Sequence, residues 1–236
     1  KKFEFFIDCG NPPSNNFTKN YQAGCLAFEL ISNKQKIICN SGYGKYLSSK
    51  LTMLSRSSAA HSTLYLNNTS SSIFQKNKII NKVYGNSLLQ KHQIIKKTYA
   101  EEKDFYFIEA THNGYENNFG YLHTRTIKTL KKEDKIFGYD ELKKTKSYSN
   151  PLVYFIRFHI YPNIKIVKTQ AGNSVLISLF NGEAWILRSK TSSFNIEKNI
   201  FLGNKNKIIN NESVYISGNV NAKDTVSVEW TIERID

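Results

Sequence analysis

Cysteine, methionine, tryptophan and proline are all scarce in this chain of 236 residues, which has three, one, two and four of them. Three thiols, Cys9, Cys25 and Cys39, fit neither a disulfide framework nor a four-ligand zinc site. Each lies in an apolar, strand-like stretch, where a thiol serves as a small buried hydrophobe. No apolar run is long enough to cross a bilayer. The apolar stretch after the N-terminal lysines is too short for a secretory signal. Because the only methionine is Met53, the chain is expected to be a processed product or a piece of something longer. No residue pattern fixes a compartment, and bacterial periplasm and cytoplasm both stay open.

Acidic residues are in deficit, 19 against 33 lysines and arginines, for a formal net charge of +14. Such an excess attracts polyanions, and nucleic acid, anionic lipid and acidic polysaccharide all qualify. The charge is dispersed, however. Lys96-Lys97, Lys131-Lys132 and Lys143-Lys144 read as short runs between strands, as in solvated turns. No nucleic-acid module is recognisable, so a nucleic-acid partner is not expected. A hydrophobic fraction of 40% with 13% aromatics describes a globular chain rather than a disordered one.

Helical periodicity and internal repeats are also missing, and what replaces them is alternation. Phe3 to Asp8, Ala23 to Ile31, Lys36 to Asn40, His92 to Tyr99, Phe105 to His112, Phe119 to Lys128, Lys135 to Glu141, Val153 to Ile160 and Val226 to Ile235 all alternate as strands do. Turns are expected at Ser32-Asn33-Lys34, Asn163, Gly172-Asn173, Asn181-Gly182, Gly203-Asn204 and Gly218-Asn219. The stretch from Gly42 to Arg56 reads as an irregular crossing, in which Tyr43, Tyr46 and Arg56 are either packing groups or ligand contacts. Many short antiparallel strands at this length predict an all-β fold with little helix. The expected form is one large antiparallel β-sandwich of two or more packed sheets spanning residues 1–236.

A small, flexible run, Arg56-Ser57-Ser58-Ala59-Ala60-His61-Ser62-Thr63, delivers one histidine to the edge of a further strand beginning near Leu64. An imidazole so placed can be a ligand, a base or an acid near neutral pH, or simply a hydrogen-bonded structural residue. His112, His123 and His159 lie in strands; packing among aromatics explains each without catalysis. Glu109, Glu29 and Asp8 occur singly, so no pair argues for a two-carboxylate hydrolase. Gly42-x-Gly44 lacks the strand-turn-helix setting of a phosphate loop, and no serine sits in a nucleophile elbow.

Taken in order, several segments carry a resemblance. Upstream of Ala60-His61-Ser62-Thr63 lie Asp8-Cys9-Gly10-Asn11-Pro12-Pro13, Gln22-Ala23-Gly24-Cys25-Leu26-Ala27-Phe28-Glu29 and Ile37-Ile38-Cys39-Asn40-Ser41-Gly42. Downstream come Ala110-Thr111-His112-Asn113-Gly114-Tyr115, Gly120-Tyr121-Leu122-His123-Thr124-Arg125 and Arg157-Phe158-His159. This set resembles the C-terminal β-domain of heparinase II/III-like proteins, a polysaccharide lyase group, as far as about Gly203.

The resemblance implies an N-terminal helical toroid outside this chain. It also implies a β-elimination that takes the proton beside a uronic carboxylate and expels the glycosidic oxygen. In that family the helical half supplies much of the catalytic set, and the β-domain brings histidines to the cleft and holds zinc. Carried over, the expected cleft residues are His61, Arg56 and His123, with Tyr43, Tyr46 and His159 touching substrate. The expected partners are an acidic polysaccharide and the missing helical domain. The positions resembling the family's zinc ligands fall on Gln22, Asn40 and His61, and only the last is a zinc-binding type. The expectation is therefore no metal, with the two amides and the imidazole forming a polar cluster. The competing reading is a non-catalytic glycan-binding or scaffolding β-sandwich whose metal site has decayed. A basic nucleic-acid binder rests on net charge alone.

Overall fold

The structure, a computed structural model, describes residues 3–77, 79–81, 87–205, 207–220 and 225–235. Its strands are β1 (Phe3–Ile7), β2 (Phe28–Ser32), β3 (Gln35–Cys39), β4 (Leu64–Leu66), β5 (Ile73–Phe74), β6 (Leu88–Gln90), β7 (Ile94–Glu101), β8 (Phe105–Tyr115) and β9 (Tyr121–Leu130). They continue as β10 (Lys135–Lys144), β11 (Val153–Ile160), β12 (Lys165–Lys168), β13 (Ser174–Ser178), β14 (Ala184–Arg188), β15 (Asn195–Phe201), β16 (Ile209–Asn219) and β17 (Thr225–Ile235). One sheet runs β1-β2-β3-β11-β16-β15, with β4 also on β11; the second runs β12-β13-β14-β17-β10-β9-β8-β7. β5 and β6 form a small separate pair. All strand pairs are antiparallel.

The sandwich closes because alternation gives each sheet one apolar face. Along β9, buried and half-buried residues alternate through all ten positions, as a two-residue side-chain period requires. Aromatic rings from the two sheets meet in the middle. Phe28 stacks on Trp230 at 5.4 Å, Phe158 meets Trp230 edge-on at 5.2 Å, and Phe3 meets Trp185 edge-on at 5.9 Å. Such rings bury large areas and dominate core energetics. The β2–β3 hairpin turns through Asn33 and Lys34, both at positive φ, the backbone that matches strand twist in a two-residue turn.

Four local expectations change. The stretch from Ala23 does not enter a strand until Phe28, because Leu26 takes a left-handed φ of 58° and the Ala27 N–H closes a turn on the Gly24 carbonyl. The crossing before Arg56 contains a helix, α1 (Ser49–Arg56), started by Ser48, whose hydroxyl accepts from the Leu51 N–H. Gly218-Asn219 ends β16 rather than making a turn. Of the lysine pairs, only Lys131-Lys132 lies between strands; Lys96-Lys97 sits inside β7 and Lys143-Lys144 closes β10.

Candidate functional site

β16 pairs along one edge of β11, so β3 and β4 must share the other. β3 pairs at His159 and Ile160, and β4 at Tyr154 to Ile156. The segment from His61 to Thr63 crosses the gap between them. Ser62 replaces the missing ladder there: its Oγ accepts from the His159 N–H at 2.9 Å and donates to the Cys39 carbonyl at 2.6 Å. The Asn40 Oδ1 accepts from the Ser62 N–H at 2.9 Å, and the Ser62 carbonyl accepts from Phe28 N–H and from Arg125 Nη1. With the Ala60 carbonyl accepting from the Ser41 N–H at 2.8 Å, position 61 is fixed by its neighbours on both sides.

His61 Nδ1 donates to the Ser57 carbonyl at 2.8 Å, and its Nε2 lies 3.3 Å from the half-buried Gln22 carboxamide. Gly24 lies against the ring, where a Cβ would come within 2.6 Å of His61 Cδ2. The residue is only 4% exposed, and burial pushes its pKa down, so the ring is neutral. With Nδ1 donating, Nε2 keeps a free lone pair, which the Gln22 amide satisfies when it turns its NH2, in place of Oε1, toward the ring. Asn40 belongs to the same junction but does not reach the ring. It holds the next residue's backbone and sits 3.4 Å from the Glu29 carboxylate.

Of the other expected cleft residues, His159 stands beside this point, buried behind it, and the rest have their partners elsewhere. Arg56 is fully buried. It donates to the carbonyls of Tyr21 (2.7 Å) and Thr18 (2.8 Å) and lies over the Phe74 ring, clamping a 3-10 helix (Asn15–Asn20) against α1. His123 is fully buried too. His159 donates from Nε2 to the Ala59 carbonyl and accepts at Nδ1 from Asn199 Nδ2; burial and then Arg157 push its pKa down to about 3. Tyr43 is half-buried and donates to Asn20 Oδ1, and Tyr46 is exposed beside Lys45.

Sequence reasoning passed over the group that surrounds His123. The Gly114 N–H donates to His112 Nδ1, leaving His112 Nε2 to donate to His123 Nδ1 at 3.0 Å. His123 Nε2 in turn donates to Asp140 Oδ1 at 2.8 Å. Every tautomer in the chain is set by the donor before it. Arg125 forks onto Asp140 with Nε and Nη2, and Trp230 Nε1 donates to the same carboxylate. Arg125 Nη1 then reaches the carbonyls of Leu26 and Ser62, in the segments that lead into β2 and β4 of the other sheet. The signal available beforehand was that Arg125 and Asp140 both fall on the inward phase of their strands.

The donor set at the three ligand positions does not suit zinc. Two of the three groups are neutral amides, and the Asn40 oxygen already accepts a backbone hydrogen bond. The thiols offer no replacement: burial pushes Cys9 up to about 11, Cys39 up to about 12 and Cys25 well above its ordinary value, so all stay protonated. Among the described residues no group of three or more His, Cys, Asp or Glu could hold a metal ion. Nor is any helix among them long and apolar enough to cross a membrane.

A family described as heparinase II/III-like, C-terminal, matches residues 1–231. No curated protein matches the sequence. Among solved structures, a heparan sulfate lyase HepC from Pedobacter heparinus superimposes with a TM-score of 0.77 at 15% identity, over 98% of this chain and 33% of that one. A heparinase III aligns with a TM-score of 0.65 at 16% identity, over 91% of this chain and 30% of its own. At such identities the likeness is one of fold, and the chain spans about a third of the length of either structure.

Proposed function

Because the chain belongs to the heparinase II/III-like C-terminal family, we propose that it forms the β-sandwich wall of a polysaccharide lyase cleft whose other wall is a helical domain. Its substrate is an acidic, uronate-containing polysaccharide, and its contribution to the cleft is the rim made by Gln22, His61 and the Asn40–Ser62 junction. The observation that carries this reading is His61 itself. The ring is neutral and oriented by Ser57, and its second nitrogen faces a side chain that is half-buried rather than backbone. A neutral imidazole held in one tautomer is suited to accept a proton or a substrate hydrogen bond once Gln22 moves aside. Phe17, Tyr46 and Leu54, on segments adjoining this rim, are exposed apolar side chains of the kind a docked domain covers. In this proposal zinc takes no part, and Arg56, His123 and His159 support the rim from within.

The competing reading, a non-catalytic glycan-binding or scaffolding module, is favoured by the amides at two of the three ligand positions. The full-length gene product, offered a panel of acidic polysaccharides, separates the two. Growth of the unsaturated product's absorbance is expected, with His61→Ala lowering the rate by about two orders of magnitude, the ordinary range for a lost acid-base group. Undiminished activity in His61→Ala removes that residue from the chemistry, and a gene product without a helical half favours the module.

A further inference from the structure

A groove of about 770 Å³ lies on the outward face of the eight-stranded sheet. None of its lining residues belongs to the Gln22–Asn40–His61 junction. Strand register puts a file of side chains straight across it: Phe107, Lys128, Phe137, Thr231, Arg188 and Ser174 are successive cross-strand partners on β8, β9, β10, β17, β14 and β13. With strands about 4.8 Å apart, Phe107 and Phe137 stand about 10 Å from each other with a lysine between them. That is close to the repeat of a disaccharide.

The charge is as patterned as the aromatics. Lys128, Lys135, Arg188 and Lys190 line the groove against two carboxylates, Glu229 and Glu233. Glu233 is shared, at 2.7 Å from Lys135 and 3.2 Å from Arg188. Lys128 rests over the Phe105 ring at 4.1 Å, and neither it nor Lys190 has an ion pair among the described residues. A solvated outer face needs only alternating charges; it gains nothing from leaving Phe137 38% exposed in a groove beside unneutralised lysines. Flat rings stack on sugar faces, and the cations between them meet anionic substituents at the interval of the chain.

We propose that this groove is a binding site for a linear oligosaccharide bearing carboxylate or sulfate groups, laid across the strands along the file from Phe107 to Arg188. The cation pattern selects an acidic chain over a neutral one. The aromatic spacing selects a sugar over a featureless polyanion.

The test is titration of the protein with a heparin-derived octasaccharide, a neutral cello-oligosaccharide and an oligothymidylate of similar length, read by calorimetry. Preferred binding of the acidic sugar is expected, weakened about tenfold by Phe137→Ala, as for a truncated aromatic anchor. Lys190→Gln, at an exposed position where folding is not at stake, is expected to weaken binding severalfold and to flatten its dependence on salt. Thermal unfolding of Phe137→Ala checks that the sheet is intact. Absence of binding, equal binding of the neutral sugar or the oligonucleotide, or binding indifferent to both substitutions overturns the proposal. The readout is binding alone, so the result stands apart from whether the full-length protein is a lyase.

Discussion

Asp140 keeps its charge at 1% exposure only because His123, Trp230 and two nitrogens of Arg125 all donate to it. Burial alone raises a carboxyl pKa; here Arg125 and His123 more than reverse that and hold Asp140 well below the usual carboxylate range. Asp140→Asn strands the buried Arg125 cation, for a loss of about 3–5 kcal/mol in urea unfolding. A loss below about 1 kcal/mol contradicts the account. Gln22 and Asn40 carry a second expectation at this scale. Purified protein should contain far less than one zinc per chain by elemental analysis, and a value near one refutes the metal-free cluster. The Arg125–Asp140 network was half legible beforehand. Inward phase could be counted along each strand, but the pairing of Arg125 with Asp140 depends on the register between β9 and β10, which no single strand encodes. The Gln22–His61 contact came from family resemblance, since nothing local in Gln22-Ala23-Gly24 points to a residue 39 positions away.

Among the elements, the strands that alternate cleanly were readable, β9 and β17 above all, because a sheet with one buried face imposes a period of two. α1 was not, for a physical reason. Its buried residues are Ser55 and Arg56, so it carries no apolar stripe, and it is held instead by the Ser48 cap and by Arg56. Nor did the turn at Leu26 announce itself, since leucine seldom takes a left-handed φ. The junction where β3 and β4 share β11 has its own test. Ser62→Ala leaves the buried His159 N–H and Cys39 carbonyl without partners. At about 1–3 kcal/mol for each group, the loss should be about 2–6 kcal/mol. Stability unchanged within error would mean that the strands close the gap unaided.

For the molecule as a whole, the histidines set the response to acid. The chain has five: His61, His92, His112, His123 and His159 are all buried, and burial lowers the pKa of every one. Above about pH 6.5 the rings are neutral folded or unfolded, and they carry no penalty. As pH falls through 6.5 the unfolded chain takes up protons that the folded chain refuses, so stability drops until the folded values are reached, near 3 for His159. For His159 that amounts to about 1.4 kcal/mol between pH 7.5 and 5.5, and His61, His92, His112 and His123 add to the loss in the same direction. Asp140 adds a further loss below about pH 4, where the unfolded carboxyl protonates first. Urea unfolding at the two higher pH values measures the first effect. A difference under about 1 kcal/mol would show that the rings are not held neutral.

β17, the final strand, is inserted between β10 and β14 in the middle of its sheet, and it brings Trp230 to Asp140. Asp140 orients Arg125, and Arg125 fastens Ser62, the neighbour of His61. During synthesis, therefore, the surroundings of His61 wait for Trp230, a residue made long after it. The rim can take its final shape only after β17 has left the ribosome.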